Sequence, residues 1–288
     1  MEIITFIVFL PVLILMFISL TNAVAGPFLS KAEEKLKHFP KVSVMIPARN
    51  EENSISNCLN SLKKQTYGNF EVIVLNDRST DGTLQKILNF KDEMPLKILN
   101  GKDLPEGWLG KNHACHQLSN EATGDIYLFT DADNFYSETA LEKTVCYFED
   151  YDLDVLSAFP QQKTESIWEK LVIPNIDTIL YSLLPLRFVY LFKSPALTAA
   201  NGQWIALKKD AYKKTGGHEK VKDKIVEDMA IFRNSKIMGL KCMTLAGTGE
   251  VFGKMYSSMN EIWQGLSKNT FGLSEFKLIP FIFLMILL

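Results

Sequence analysis

The sequence predicts an α/β fold in which a mostly parallel sheet carries helices on both faces. Short apolar runs bounded by turn residues recur along the chain, and segments with a period near 3.6 residues lie between them. This alternation is typical of parallel strands joined by crossover helices. With 288 residues and 47% hydrophobic composition, the chain can bury one large core. We therefore expect one α/β domain over residues 38–275.

The strands and helices can be placed individually. Five apolar runs have the length and flanks of buried strands: 42–46, 70–75, 96–99, 126–130 and 155–159. Helical spacing follows three of them, at Ile55, Leu59 and Leu62, at Leu84, Ile87 and Leu88, and at Leu141, Val145 and Phe148. Ligands of such sheets bind beyond the carboxyl ends of the strands. The loops at that edge are therefore the candidates for chemistry.

Charge and cysteine content exclude several classes of protein. The formal net charge is -2 and the isoelectric point is near 6.1, so no basic excess supports a nucleic-acid partner. The four cysteines are scattered without a C-x-x-C pair, which fits neither a zinc site nor a disulfide scaffold. We expect reduced thiols in a cytosolic domain.

The N-terminus carries an uncharged apolar stretch at residues 3–20, which is just long enough to cross a bilayer as a helix of about 18 residues. It predicts a transmembrane anchor over residues 1–25. A cleaved signal peptide is the alternative, because residues 23–25 resemble a cleavage site, but Glu2 stands where a positive region is needed. Lysines follow the stretch and none precedes it, which predicts a cell-membrane protein whose domain faces the cytoplasm.

Two further apolar segments leave alternatives open. Residues 277–288 are too short to span, so they form either an interfacial segment or the start of an incomplete membrane helix. Residues 167–192 are interrupted by prolines and charges, which disfavours a spanning helix. This region is either a core-packed helix pair or an amphipathic segment on the membrane surface beside the site.

Polar residues follow the first two predicted strands, at 47–52 and 76–83. Asn50, Ser54 and Asp81 are also residue types that cap helices, and we favour such a structural role for Asp81. Asp77 comes directly at a strand end after an asparagine. We expect its carboxylate to hydrogen-bond a nucleotide base or ribose.

Two acidic residues, Asp131 and Asp133, follow the fourth predicted strand. In an extended chain they point the same way. Their mutual repulsion is relieved by a cation, and Mg²⁺ or Mn²⁺ takes oxygen ligands while also holding substrate phosphates. A D-x-D pair occurs in solvated turns too, but its place after an apolar strand favours a metal-diphosphate site.

A later acidic pair, Glu227 and Asp228, stands at the start of a predicted helix that runs to about Met238. Acids are favoured at a helix N-terminus by the helix dipole. The alternative is that Asp228 acts as a general base. The residues alone leave both open.

Four segments, PARNEE at 47–52, NDRSTDGT at 76–83, DAD at 131–133 and VEDM at 226–229, resemble glycosyltransferase family 2 in order and spacing. The resemblance covers residues 41–269 and implies the Rossmann-like GT-A fold. It implies an inverting displacement with Asp228 as the base and a Mg²⁺ or Mn²⁺ ion held through Asp133 and Asp131. It also implies a nucleotide-sugar site made of Pro47, Ala48, Arg49, Glu51, Asp77, Lys111 and Asp131.

The acceptor side is implied by more particular likenesses. Residues 101–115 resemble the bacterial branch that glycosylates carotenoids such as diaponeurosporenoate, and hopanoid-associated relatives. With the apolar termini, this favours a lipid-like acceptor, glucose as the sugar and a UDP-sugar as the donor. The implied acceptor-side residues are Asn201, Gly202, Trp204, Gln264 and Lys268. His218 is expected to be structural or acceptor-lining, and Trp108 to be either a core aromatic or a substrate contact.

One departure from the family pattern matters. Processive members carry Q-x-x-R-W after the base, whereas Gln264 is followed by Lys268 and Asn269 here. A polymerase is therefore disfavoured. Two other classes stay open, a sugar nucleotidyltransferase and a non-catalytic membrane-bound module that binds nucleotide sugars. The acidic residues at three separate strand or helix ends favour an enzyme over the second.

Overall fold

The computed structural model describes residues 2–32, 36–254, 259 and 261–263, with side chains from Phe9 onward. Gln264, Lys268 and the apolar segment 277–288 therefore lie outside the described residues. The described strands are β1 (Val42–Ala48), β2 (Phe70–Asn76), β3 (Leu96–Asn100), β4 (Ile126–Phe129), β5 (Phe135–Tyr136), β6 (Val155–Phe159), β7 (Gln161–Gln162), β8 (Ile205–Lys208), β9 (Cys242–Ala246) and β10 (Val251–Gly253).

The described helices are α1 (Glu2–Ala25), α2 (Ile55–Lys63), α3 (Thr83–Leu88), α4 (Gly110–Glu121), α5 (Ala140–Asp150), α6 (Ile167–Leu183), α7 (Leu186–Leu191), α8 (Lys209–Thr215), α9 (Gly217–Lys220) and α10 (Glu227–Ile237). A short 3₁₀ helix covers Leu29–Lys31. The five predicted strands and the predicted helices between them are confirmed, with ends that differ by a residue or two.

Seven strands form one sheet in the order β3-β2-β1-β4-β8-β6-β9. Six of them are parallel and β8 alone is antiparallel to its neighbours β4 and β6. The chain moves outward from β1 to β3 and then returns to place β4 on the other side of β1. The crevice between the ends of β1 and β4 is therefore the switch point at which such sheets bind ligands.

Both faces of the sheet are covered, as the sequence predicts. Alternate residues of β1 point to opposite faces, so Val44 and Ile46 enter one apolar cluster while Met45 enters the other. The first cluster includes Leu59 of α2, and the second includes Phe232 of α10. A second, three-stranded sheet in the order β5-β10-β7 extends from the main one.

The direction of β8 matters for the site. Because β8 is antiparallel to β4, it begins at the edge where the parallel strands end. Asn201 and Gly202, which precede β8, therefore lie beside the loops that follow β1 and β4.

Helix α1 occupies the segment for which the sequence predicts a membrane anchor. Among the described residues, no helix combines the length and apolar character needed to cross a membrane. The predicted transmembrane span is thus not supported. The chain that follows α1 is joined to the sheet, because the amide of Ala246 donates to the carbonyl of Pro27 and the Tyr147 hydroxyl donates to that of Phe28.

The region at 167–192 forms two helices, α6 and α7. In α6 only Glu169 and Ile173 are buried, and in α7 only Leu186 and Val189 are buried. The helix pair is confirmed, but most of its apolar side chains do not enter the core. The exposed ones are Ile167, Trp168, Leu171, Leu183, Phe188 and Leu191.

Candidate active site

An open cleft of about 330 Å³ lies at the switch point between β1 and β4. Its walls come from the loops after β1, β2 and β4 and from the first turns of α4. Every residue that the sequence assigned to the nucleotide sugar lines it, namely Pro47, Ala48, Arg49, Glu51, Asp77, Lys111 and Asp131, together with Asp133. The structure thus brings these residues into one place, while their roles stay predictions.

Asp77 stands at one end of this cleft between two arginines. Its carboxylate lies 3.7 Å from Nη1 of Arg49 and 3.5 Å from Nε of Arg78. A side chain at Gly101 would put its Cβ 2.8 Å from Oδ1 of Asp77, so only glycine lets the loop after β3 approach. Asn50 and Arg78, each with φ near +55 to +58°, turn the chain sharply after β1 and β2. The carboxylate and guanidinium groups can hydrogen-bond a base and ribose.

Asp81 and its neighbours have structural roles, as the sequence predicts. Oδ1 of Asp81 accepts from the amide and hydroxyl of Thr83, and Oδ2 accepts from the amide of Glu52. These bonds, and that from the Thr80 amide to Oδ1 of Asn50, join the loops after β1 and β2. They fix the relative position of these two loops at the cleft.

Three carboxylates meet at the other end of the cleft, on Glu51, Asp131 and Asp133. Oδ1 of Asp133 is buried without a hydrogen-bond partner among the described residues. Burial and the negative charges of Asp131 and Glu51 raise the pKa of Asp133 to about 7. Burial also raises the pKa of Glu51, against a hydrogen bond from Ser54 that lowers it.

This arrangement fits a divalent cation. A positive ion would give the unpaired buried carboxylate oxygen a partner and would reduce the repulsion among the neighbouring carboxylates. Among the described residues, no cluster of three or more acidic, histidine or cysteine side chains is placed to hold a metal by itself. Mg²⁺ typically uses one or two carboxylates and takes its other ligands from substrate phosphates and water, so Asp133 and Asp131 are a sufficient protein contribution.

Lys111, in the first turn of α4, joins the two halves of the site. Its ammonium nitrogen lies 2.7 Å from Oδ1 of Asp131 and 3.3 Å from Oε1 of Glu227. The cation therefore stands between the carboxylates after β4 and the acidic pair that begins α10. This position suits a contact with a diphosphate.

Asp228 lies at the start of α10, as the sequence predicts. A Cβ at Gly202 would lie 3.4 Å from Oδ2 of Asp228 and equally near the ammonium of Lys111. Partial desolvation and the adjacent Glu227 carboxylate raise the pKa of Asp228 to about 7, while Lys111 lowers it. A carboxylate with that pKa can accept a proton near neutral pH. Together with Thr130 and His218, these residues line a small pocket beside the main cleft.

Trp204 is a correction to the predicted acceptor side. Its side chain is fully buried, packs against Tyr136 with ring centroids 4.8 Å apart, and donates its indole N–H to Oγ1 of Thr144. It follows the turn at 201–203 and points inward as β8 begins, so it belongs to the core. Asn201 has a local role, because its Oδ1 accepts from the amide of Gln203.

For two other aromatic residues, His218 and Trp108, the sequence predicts either a structural role or a role at the substrate. His218 is buried, its Nδ1 pairs with the Tyr212 hydroxyl at 2.8 Å, and burial lowers its pKa to about 3, which indicates a structural role for a side chain that also lines the small pocket. Trp108 packs on His113 and His116 with ring centroids 5.4 and 5.1 Å apart. It forms part of the loop before α4, next to the donor cleft.

Glu227, for which the sequence indicates only membership of an acidic pair, also lies at the candidate site. It is buried and ion-paired with Lys111. The signal available in the sequence was its position beside Asp228 in the first turn of a helix. The four cysteines are free and buried, as predicted.

A larger cleft of about 660 Å³ lies at the opposite edge of the sheet, where the parallel strands begin. Its walls include Asp125, Asp154 and Lys208. None of the predicted site residues lines it, and ligands of parallel sheets bind at the other edge. Size alone therefore does not identify the active site here.

Comparison with known proteins identifies the family of the chain. The family model "Glycosyl transferase family 2" matches residues 43–215. A 4,4'-diaponeurosporenoate glycosyltransferase from Staphylococcus haemolyticus is 30% identical over 222 residues, which cover 75% of this chain and 57% of that protein. The poly(ribitol-phosphate) beta-N-acetylglucosaminyltransferase TarS of Staphylococcus aureus is 29% identical over 158 residues, covering 51% of this chain and 27% of that protein. The chain thus spans little more than half the length of the first relative and about a quarter of the second.

Solved structures are similar in fold. The mannosyltransferase PcManGT from Pyrobaculum calidifontis, in complex with GDP-Man and Mn²⁺, aligns with a TM-score of 0.67 and 19% identity, covering 88% of this chain and 67% of that one. S. aureus TarS 1–349 in complex with UDP-GlcNAc aligns with a TM-score of 0.55 and 20% identity, covering 77% and 60%. These similarities confirm the predicted GT-A-like α/β fold.

Proposed function

This chain belongs to glycosyl transferase family 2, and we propose that it transfers a sugar from a nucleotide-diphosphate donor to a lipid-like acceptor by a metal-assisted, inverting displacement. The observation that carries the proposal is that two carboxylates line one cleft, the first between two arginines and the second buried with one oxygen unpaired among the described residues, while a third acid lines the small pocket beside it next to a proposed acceptor wall at Gly202. The three acids are Asp77, Asp133 and Asp228.

We place the donor along the cleft between Asp77 and Lys111. The base and ribose lie toward Asp77, where the arginines supply hydrogen-bond donors. The diphosphate lies toward Asp131 and Lys111. By the family resemblance the donor is a UDP-sugar, with glucose as the sugar. The related structures with bound GDP-Man and UDP-GlcNAc belong to other proteins and support a nucleotide-sugar donor in general.

A Mg²⁺ or Mn²⁺ ion held through Asp133, with Asp131 beside it, would neutralise the negative charge that develops on the departing diphosphate. Lys111 supplies a second positive charge at the same place. Glu227 fixes the ammonium group from the other side at 3.3 Å. The chain therefore supplies one preformed cation, Lys111, near the leaving group, and the metal would supply the remaining positive charge.

Asp228 is the proposed base. An acceptor hydroxyl attacks the anomeric carbon from the face opposite the diphosphate, its proton passes to the Asp228 carboxylate, and the broken bond leaves its electron pair on the diphosphate oxygen. A pKa near 7 suits this step. A carboxylate acceptor would carry no proton at neutral pH, so the need for a base depends on the acceptor group.

The acceptor is proposed to reach the site from a membrane. Helix α1 exposes apolar side chains at successive positions, including Val12, Leu13, Ile14, Met16 and Phe17. One stripe of α1, which includes Asn22, packs on α6 and α7, and the remaining surface of the helix exposes these apolar side chains. Such an uncovered apolar surface suits contact with lipid. Helices α6 and α7 add exposed apolar groups. Attachment to the cell membrane, with the domain in the cytoplasm, is part of this proposal.

Donor binding tests the proposal most simply. Calorimetric titration with a panel of UDP- and GDP-sugars, with and without Mn²⁺, should give one preferred donor whose affinity depends on the metal. Asp77→Ala should weaken that affinity at least tenfold. The matched control is Asp103→Ala, because Asp103 is fully exposed and also lies near Arg78. Binding that is equally affected by both variants, or that shows no nucleotide preference, would contradict the proposal.

The stereochemical outcome tests the inverting step. An α-linked donor should give a β-linked product, which proton NMR of the anomeric signal distinguishes. The same experiment identifies the leaving group. Release of a nucleoside diphosphate agrees with a transferase, whereas release of pyrophosphate would identify a sugar nucleotidyltransferase.

A further inference from the structure

Asn22 is a buried polar residue near the end of the apolar helix α1, with 6% of its surface exposed. Its side-chain amide donates to the carbonyls of Tyr181 and Leu184, both at 2.7 Å, and its Oδ1 accepts from the amide of Leu186 at 3.2 Å. Tyr181 lies in the last turn of α6, Leu184 directly follows α6, and Leu186 is the first residue of α7. One side chain of α1 thus joins the end of α6 to the start of α7.

Lys236 is a buried cation on α10, with 3% of its surface exposed. Its ammonium group donates to the carbonyl of Val189 at 2.7 Å and to that of Phe192 at 2.9 Å. These carbonyls lie at the end of α7, where helix carbonyls lack intrahelical partners and the dipole favours a positive charge. A second element of the fold therefore holds the other end of the same short helix.

The C-terminal end of α7 is connected to both sides of the candidate site. Helix α10, which carries Lys236, begins with Glu227 and Asp228. The segment after α7 runs to Gly202 beside Asp228, and it is held there by a bond from the Thr244 hydroxyl to the carbonyl of Ala199. The position of α7 therefore affects the spacing between the acceptor wall and the base.

Both side chains are costly to bury unless their polar atoms are paired. A leucine at 22 would suit the apolar helix and a methionine at 236 would fill a similar volume. Asn22→Leu would leave backbone groups at the end of α6 and the start of α7 without this partner, and Lys236→Met would do the same at the end of α7. The hydrogen bonds join elements that are far apart in sequence, which indicates a role in placing α7.

We propose that Asn22 and Lys236 are positioning residues that clamp α7 between α1 and α10 and thereby set the acceptor wall at Gly202 relative to Asp228. The inference rests on the proposed function. It implies that the apolar helix α1, besides being a candidate membrane attachment, helps to position the acceptor side of the site.

Asn22→Leu and Lys236→Met test the clamp in the full chain. Each should lower kcat for transfer about tenfold while leaving donor affinity and donor hydrolysis by water within about twofold of wild type. Because both act through one helix, the double variant should lose only about as much as either single variant rather than about a hundredfold. Thr21→Ala and Ile237→Ala are matched controls, since both side chains are exposed neighbours on the same helices.

Losses that multiply in the double variant, equal losses of transfer and donor affinity, or wild-type kcat in either single variant would overturn the proposal. Hydrogen exchange tests the clamp independently of whether the proposed function is correct. In both variants exchange should rise at the amides of α7 and at 199–202, whether or not transfer is detected. Unchanged exchange at 199–202 would overturn the clamp even in an active enzyme.

Discussion

The ammonium group of Lys111 lies 2.7 Å from Oδ1 of Asp131, so a carboxylate that the sequence pattern assigns to a metal is already paired with a cation. Under the proposed function, the diphosphate of a bound donor would offer Lys111 a new partner and leave Asp131 to the metal. Metal binding and donor binding would then depend on each other.

Lys111→Met separates the two kinds of binding. Without donor, Mn²⁺ should bind several-fold more tightly than to wild type, because the competing ammonium is gone. The donor itself should bind at least tenfold more weakly, since its diphosphate loses a charged contact. Manganese titration by electron paramagnetic resonance and donor calorimetry measure both effects. Lys102→Met, at an exposed loop position, should change neither, and weaker Mn²⁺ binding in Lys111→Met would contradict the competition.

The pH dependence of transfer should report on Asp228. The base acts when deprotonated, so kcat/KM should rise with pH through about 7, the raised pKa of its carboxyl group. Glu227→Gln removes a negative neighbour and should move the midpoint to lower pH. Lys111→Met removes a positive one and should move it to higher pH. Movement of both midpoints in the same direction would contradict the assignment.

Asp228→Asn tests both the base and the acceptor group. With a hydroxyl acceptor, transfer should fall by about 10²–10⁴, while donor affinity stays within about twofold. With a carboxylate acceptor the loss should be much smaller, because no proton has to be removed. Rates with paired alcohol and carboxylic acid acceptors measure the difference. Asp223→Asn, at an exposed position before α10, is the control, and full hydroxyl transfer by Asp228→Asn would exclude the base role.

Asp133→Asn should stabilise the metal-free protein while removing the metal dependence of donor binding. The pKa of Asp133 in the folded protein is raised to about 7, above the ordinary value of about 3.9. The stabilising contribution of Asp133 to the free energy of unfolding is therefore fully present below about pH 4, and it is lost as the pH rises through about 7. The gain in Tm over wild type should be larger at pH 8 than at pH 5. Thermal unfolding in EDTA measures it, with the exposed Asp92→Asn as the control.

Trp204→Phe should reduce stability without affecting the acceptor. The substitution removes the indole donor to Thr144 and leaves space beside Tyr136, at a cost of about 1–2 kcal/mol in the free energy of unfolding. The KM for the acceptor should stay unchanged, as measured by denaturant unfolding and steady-state transfer. Trp168→Phe, on the exposed face of α6, should not reduce stability. An altered acceptor KM for Trp204→Phe would restore the sequence-based assignment of Trp204.

The parallel part of the fold was predictable because apolar runs such as 70–75 are long, uniform and bounded by turn residues. The donor side of the site was predictable for a related reason. Once the strands are placed, their carboxyl ends must share one edge, and the polar residues that follow β1, β2 and β4 have to meet there. Topology alone brings Asp77 and Asp131 to one cleft.

The acceptor side was less predictable because it depends on contacts between distant segments. Trp204 follows a turn whose direction is set by the antiparallel pairing of β8, and the local sequence does not encode that pairing. The partnership of Asn22 with the turn at Leu184 joins residues about 160 positions apart. The sequence does not tell whether the apolar positions of α1 and α6 enter the core. The packed structure shows that most of them lie outside it.

The most direct test of the central claim is a transfer assay with the full chain in lipid vesicles, using a radiolabelled nucleotide sugar chosen by the binding panel and Mn²⁺. Wild type should release a nucleoside diphosphate and move label into the lipid fraction in equal amounts. Both products should disappear with Asp133→Ala or with EDTA. If the protein binds the donor tightly but neither releases nucleoside diphosphate nor transfers label to the lipid fraction, the result would contradict a transferase and indicate a binding module instead.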